Sequence, residues 1–107
     1  MSLDIYLETE NGELIHDQNI THNLGRMAEE GGFYGVLWHP EENGVTKASD
    51  LIEPLYNGIC AMLKEPKRFE AHNASNGWGL YENFLPWLIR LLRACQDNPE
   101  CKVSVSR

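Results

Sequence analysis

The chain has 107 residues, 42% apolar and 23% charged, and nine basic side chains face sixteen acidic ones for a net charge of −7. These bounds fit one soluble domain with a modest core. They exclude a membrane-spanning helix, because no apolar run approaches the ~20 residues it needs. They also exclude a non-specific nucleic-acid binder, whose affinity rests on cations meeting phosphates.

The one basic cluster, Lys64, Lys67 and Arg68, is interrupted by Glu65 and reads as a solvated helix end. The acidic balance suits solubility or a basic protein partner. Met1-Ser2-Leu3-Asp4 has neither the basic nor the apolar region of a secretory signal, so a cytoplasmic location is expected. Three cysteines, Cys60, Cys95 and Cys101, form no CxxC, which argues against a zinc site or a disulfide framework. Cys60 and Cys95 are expected on apolar helix faces as small hydrophobes. A Cys95–Cys101 bridge is conceivable by proximity, but a cytosolic chain would keep it reduced.

In chain order, Leu3, Ile5 and Leu7 alternate with polar residues and predict a half-buried strand. Asn11-Gly12 then separates it from Glu13-Leu14-Ile15-His16, predicting a hairpin over roughly 2–17 with a type I′ turn. Helical periodicity follows. Ile20, Leu24, Met27 and Ala28 share a face that ends at Gly31-Gly32. Leu51, Ile52, Leu55, Tyr56, Ile59, Cys60 and Leu63 predict a longer helix, stopped by Pro66. Asp50-Leu51-Ile52-Glu53 reads as its capping box, which puts Pro54 near the first turn. Leu80, Phe84, Trp87, Leu88, Leu91, Leu92 and Cys95 predict a third helix with a kink or late start at Pro86, ended by Asn98-Pro99. Lys102–Ser106 alternates again as a strand that completes the sheet. The expected architecture is α+β. A small antiparallel sheet, made of the N-terminal hairpin and the C-terminal strand, packs on about three helices in a single domain, 1–107.

Two connections, residues 33–44 and 69–79, are rich in aromatics and turn formers, and loops of that length in a small domain are often functional. Either they roof the core with Trp38 and Trp78, or they form a surface. On a helical wheel His22 falls opposite the apolar stripe and heads a polar strip of Asn19, His22, Asn23, Arg26 and Glu30. The bland reading makes Asn19 or Thr21 a helix cap, His22 a surface residue and Arg26–Glu30 a weak ion pair. The functional reading makes the strip a recognition surface together with an aromatic loop. Trp38 has the same two faces, a core plug with His39 on the rim or an interface anchor beside His39. The plug is favoured.

Chemistry is sparse. The histidines, His16, His22, His39 and His72, show no metal-binding spacing, and a divalent site needs three or four convergent ligands. No serine sits in a nucleophile elbow, no cysteine has a nearby base, and no glycine-rich phosphate loop is present. The reading leans away from an enzyme, and no cofactor or metal is expected.

The run Asn19-Ile20-Thr21-His22-Asn23-Leu24-Gly25 with Met27-Ala28, the turn Leu37-Trp38-His39-Pro40-Glu41 and the loop Asn76-Gly77-Trp78-Gly79 together resemble a family of short, uncharacterised bacterial and bacteriophage proteins. The likeness extends over nearly the whole chain, to Val105-Ser106-Arg107, with Pro86 and the short turn at Asn11-Gly12 as departures. It implies a compact phage or prophage accessory protein and no particular reaction.

The leading expectation is a small binding protein whose partner is another protein or a second copy, with no nucleic acid and no membrane. Its binding residues would be Asn19, His22, Asn23, Arg26, Trp38, His39 and Trp78. Replacing His22 and Arg26 with alanine should then leave stability nearly unchanged. The alternative is a metal-binding protein or small enzyme that brings His22 together with His39 or His72.

Overall fold

A computed structural model describes residues 1–107. Strands β1 (Ser2–Glu8), β2 (Leu14–Thr21) and β3 (Lys102–Ser106) form one antiparallel sheet in the order β2-β1-β3. The helices are α1 (Gly25–Glu30), α2 (Tyr34–Trp38), α3 (Ser49–Lys64), α4 (Pro66–Glu70) and α5 (Tyr81–Asp97). The α+β architecture and the terminal sheet are those expected, with α3 and α5 packed on each other as the main helical layer.

Burial follows the period-two pattern on β1, where Leu3, Ile5 and Leu7 are buried. Register places Ile20 opposite Leu3, Gln18 opposite Ile5 and His16 opposite Leu7. Val105 and Val103 flank Ile5 and Leu7 from the other side. The core face of β2 is therefore unusually polar. Gln18 is 5% exposed, donates from Nε2 to the Trp87 carbonyl at 3.0 Å and contacts His16 Nε2 through Oε1 at 2.6 Å. The Trp87 indole N–H returns a bond to the Asn19 carbonyl at 2.9 Å. This reciprocal pair ties β2 to α5 and satisfies polar groups that would otherwise cost about 1–3 kcal/mol each when buried.

Several expectations are corrected. The hairpin turn is not type I′, because Gly12 alone has positive φ (+83°) and Asn11 does not. Thr9 N–H donates to the Glu13 carbonyl and Gly12 N–H to the Thr9 carbonyl, each at 2.9 Å, which makes a three-residue loop with a left-handed glycine. Strand β2 then runs on to Thr21, so Asn19 and Ile20 belong to the sheet and not to a helix. Residues 22–24 form a 3₁₀ turn capped by the Thr21 hydroxyl, and α1 follows it. At the other end of α1, Phe33 N–H bonds the Ala28 carbonyl and Gly32 N–H the Glu29 carbonyl, the Schellman arrangement expected of a glycine stop.

The stripe of α3 is rotated from the expected one. Leu51, Leu55, Gly58, Ile59 and Met62 are buried, whereas Tyr56 and Leu63 are exposed by 57% and 60%, and Cys60 is exposed too. Gly58 causes the difference, since a Cβ there would collide with the Phe33 ring. The helix turns its side-chain-free position toward that ring. Asp50 does not form a capping box. Its Oδ2 accepts from Thr46 N–H at 3.0 Å and Lys47 N–H at 3.1 Å, ahead of the helix. With α3 starting at Ser49, Pro54 lies in the second turn. Pro86 likewise sits inside α5, which begins at Tyr81. Cys95 and Cys101 are buried and unbridged. Burial pushes the Cys95 thiol up to about 12, with nearby Cys101 adding to the effect. No helix is long and apolar enough to cross a membrane.

Candidate functional site

The predicted polar strip does not exist as one surface. Its members divide among three places, because residues 19–21 are strand, 22–24 a 3₁₀ turn and only 25–30 α-helix.

His22 turns inward. Its Nδ1 accepts the Trp38 indole N–H at 2.8 Å, and the two rings lie 6.3 Å apart. Trp38 is 2% exposed and stacks on Tyr34 at 5.0 Å, with an interplanar angle of 14°. Helix α2 makes this possible by placing Phe33, Leu37 and Trp38 on one buried side. Trp38 is thus the core plug, and His22 holds it. The Nδ1 atom of His22 is thereby taken up by Trp38, while Tyr34 also meets His39, with ring centroids 5.9 Å apart.

Arg26 is exposed and does not pair with Glu30. Glu30 Oε2 accepts instead from Arg68 Nε at 2.6 Å, and Glu30 Oε1 lies 3.1 Å from His72 Nε2. The hydrogen bond from Arg68 first, and that from His72 second, hold the Glu30 carboxyl below its usual range. Arg68 also reaches Glu65 Oε2 at 2.7 Å and the Glu30 carbonyl at 3.1 Å, so this cluster clamps α1 to α4.

His39 lies elsewhere, with Glu41 and Glu42 on the short 3₁₀ turn that follows it. Their ligating atoms come within 4.8 Å of one another and are the one such gathering in the protein; neither His22 nor His72 joins it. Glu41, however, already accepts from Arg107 at 3.1 Å, and that guanidinium also donates to the Trp38 carbonyl at 2.7 Å. A cation there would have to share Glu41 with a permanent positive charge.

The third place is a groove. Asn19, Ile20 and Thr21 at the end of β2, Ser2 beside them, Asn23, the loop Asn76–Leu80 and Asn83 on α5 enclose about 560 Å³, within the usual span for ligand pockets. The loop is built by short-range bonds. Ala74 N–H donates to the Gly79 carbonyl at 3.0 Å and Gly77 N–H to the Ala74 carbonyl at 3.2 Å. Asn73 Oδ1 accepts from Tyr81 N–H at 2.8 Å and so caps α5 from outside the helix. The backbone of Trp78 is held on both sides. Its N–H donates to Asn76 Oδ1 at 2.9 Å, and its carbonyl accepts from Asn23 Nδ2 at 2.7 Å. Trp78 nonetheless remains 71% exposed, and its indole packs on no other ring. Gly79, at φ +130°, approaches the Asn23 Cβ so closely that an added Cβ would lie 3.0 Å from it.

Of the residues singled out by sequence, the groove gathers Asn19, Asn23 and Trp78 and leaves out His22, Arg26, Trp38 and His39. Asn76 and Asn83 were not among them. Asn76 stood in a flagged loop, but Asn83 lies on a helix whose apolar stripe drew the reading to the opposite face. No protein-family model, no curated protein sequence and no solved structure matches this chain. The site therefore stands on its geometry.

Proposed function

We propose that this protein works by non-covalent binding, with the groove between the β2 end and the Trp78 loop as its working surface. One observation carries the reading: a large aromatic side chain is left in solvent although its backbone is fixed on both sides. Fixing a loop in advance lowers the ordering cost of binding, and an exposed tryptophan is a common anchor at recognition surfaces. The groove lining contains no histidine, cysteine, carboxylate or lysine, and its polar groups are the asparagine amides, the Ser2 and Thr21 hydroxyls and the Met1 amine. The polar groups there orient a ligand and do not activate one. Another protein, the partner expected from the sequence, can enter the same groove with a loop or extended segment.

Residue-resolved NMR with mixtures of peptides, neutral saccharides and nucleosides tests the reading. Shifts that cluster on Thr21, Asn23, Asn76, Trp78 and Asn83 support it. Shifts confined to the His39–Glu42 turn or the Arg68 cluster would refute it.

A further inference from the structure

Building on the groove as a binding surface, we infer that its occupant is a neutral oligosaccharide, held with one sugar ring against the Trp78 indole. Three observations select this chemistry.

The first is charge. Not one of the thirteen side chains lining the groove is charged, in a chain whose net charge is −7. A phosphate, sulfate or carboxylate would find no lysine, arginine or histidine there, only the Met1 α-amino group, and a basic peptide would find no lining carboxylate, the neighbouring Asp4 Oδ1 being taken by Asn19 Nδ2 at 2.7 Å. Binding a charge without a partner is strongly unfavourable.

The second is the unused hydrogen-bonding capacity. Asn83 has no intramolecular side-chain partner, Asn76 keeps both amide hydrogens after Oδ1 accepts from Trp78, Asn23 keeps its amide oxygen, and the Thr21 hydroxyl can still donate. Each sugar hydroxyl is both donor and acceptor. A side-chain amide sets a carbonyl beside an NH₂ group, so it can satisfy neighbouring hydroxyls together. Desolvated hydroxyls need such partners, since each one left unpaired weakens binding.

The third is the platform. A pyranose ring has an apolar face of C–H groups as well as its hydroxyl rim. An indole held out from an open groove offers a matching flat apolar surface, and burying the two faces against each other removes both from water. The two backbone bonds of Trp78 fix the loop that carries this platform, and Asn76 and Asn83 line the same groove.

The experiment uses an immobilised array spanning common neutral glycan linkages. Chitotriose, cellotriose and maltotriose are then titrated in solution by tryptophan fluorescence. Wild-type protein should bind at least one neutral saccharide saturably. Trp78→Ala should weaken that binding about tenfold or more, and Asn83→Ala measurably, whereas Trp78→Phe should retain part of it. Both positions changed are exposed, and an unchanged melting temperature confirms folding. Three results overturn the inference: no neutral saccharide bound, binding only of sulfated or sialylated glycans, or binding indifferent to Trp78→Ala. A displayed peptide library panned in parallel separates the two readings. Peptides selected by wild type and lost by Trp78→Ala, with no saccharide bound, would overturn the sugar while leaving the groove as the binding surface. Neither ligand depending on Trp78 would overturn both.

Discussion

Two tryptophans lie beside one short run of chain and meet opposite fates. Trp38 is buried to 2% exposure, and His22 holds its side chain by the indole N–H. Trp78 is 71% exposed, and Asn23, the very next residue, holds its backbone by the carbonyl. Gripping a side chain makes a plug, whereas gripping the backbone presents the side chain to solvent. Residues 22 and 23 point to different sides because they sit where a strand gives way to a 3₁₀ turn. A change at one should therefore disturb the core and a change at the other the groove.

The comparison breaks most sharply at the plug. Trp38→Ala removes a fully packed indole and should destabilise the protein by about 3–5 kcal/mol, read by denaturant titration. His22→Ala, expected from the sequence to be nearly silent, should instead cost about 1–3 kcal/mol, because the Trp38 N–H loses its buried acceptor. Full stability in His22→Ala would mean that packing alone holds the plug. Gly79→Ala should cost about 1–3 kcal/mol through its positive φ, and should also move Trp78, because the new Cβ presses on Asn23. Its signature is a loss of groove binding that exceeds the loss of stability. Trp78→Ala should stay within about 0.5 kcal/mol of wild type in stability while weakening groove binding about tenfold or more.

A pH prediction concerns the clamp rather than either tryptophan. The Glu30 carboxyl titrates below its ordinary 4.5 because Arg68, then His72, hydrogen-bonds its charged form. Its contribution is thus present above pH 4.5 and lost as pH falls below that value. Glu30→Gln should flatten the acid limb of the stability profile without touching groove binding at neutral pH. Above pH 9 the sign reverses for Cys95, whose thiol stays protonated to about 12 when folded but ionises in the unfolded chain. Stability should fall there, and less so in Cys95→Ala.

Much of the fold was legible in the chain. Alternation located β1 and β3, and period-3.6 patterns located α3 and α5, because those elements each bury one continuous face. The α2 and α4 turns were not, since five residues carry too little periodicity to distinguish a short helix from an aromatic loop. The α3 stripe was read one position off, because Gly58 counts as nothing on an apolar wheel although the Phe33 ring packs onto it.

The sequence by itself determined the sheet built from both termini, the two long helices and the acidic balance, all of which depend on local pattern and composition. It also pointed to the 19–24 run and to the Asn-Gly-Trp-Gly loop. Only the tertiary structure decided that the run ends a strand, that His22 faces inward to Trp38, and that Asn23 reaches fifty-five residues along the chain to Trp78. No periodicity encodes such contacts, because they depend on how β2 and the loop before α5 are brought together by the core beneath them.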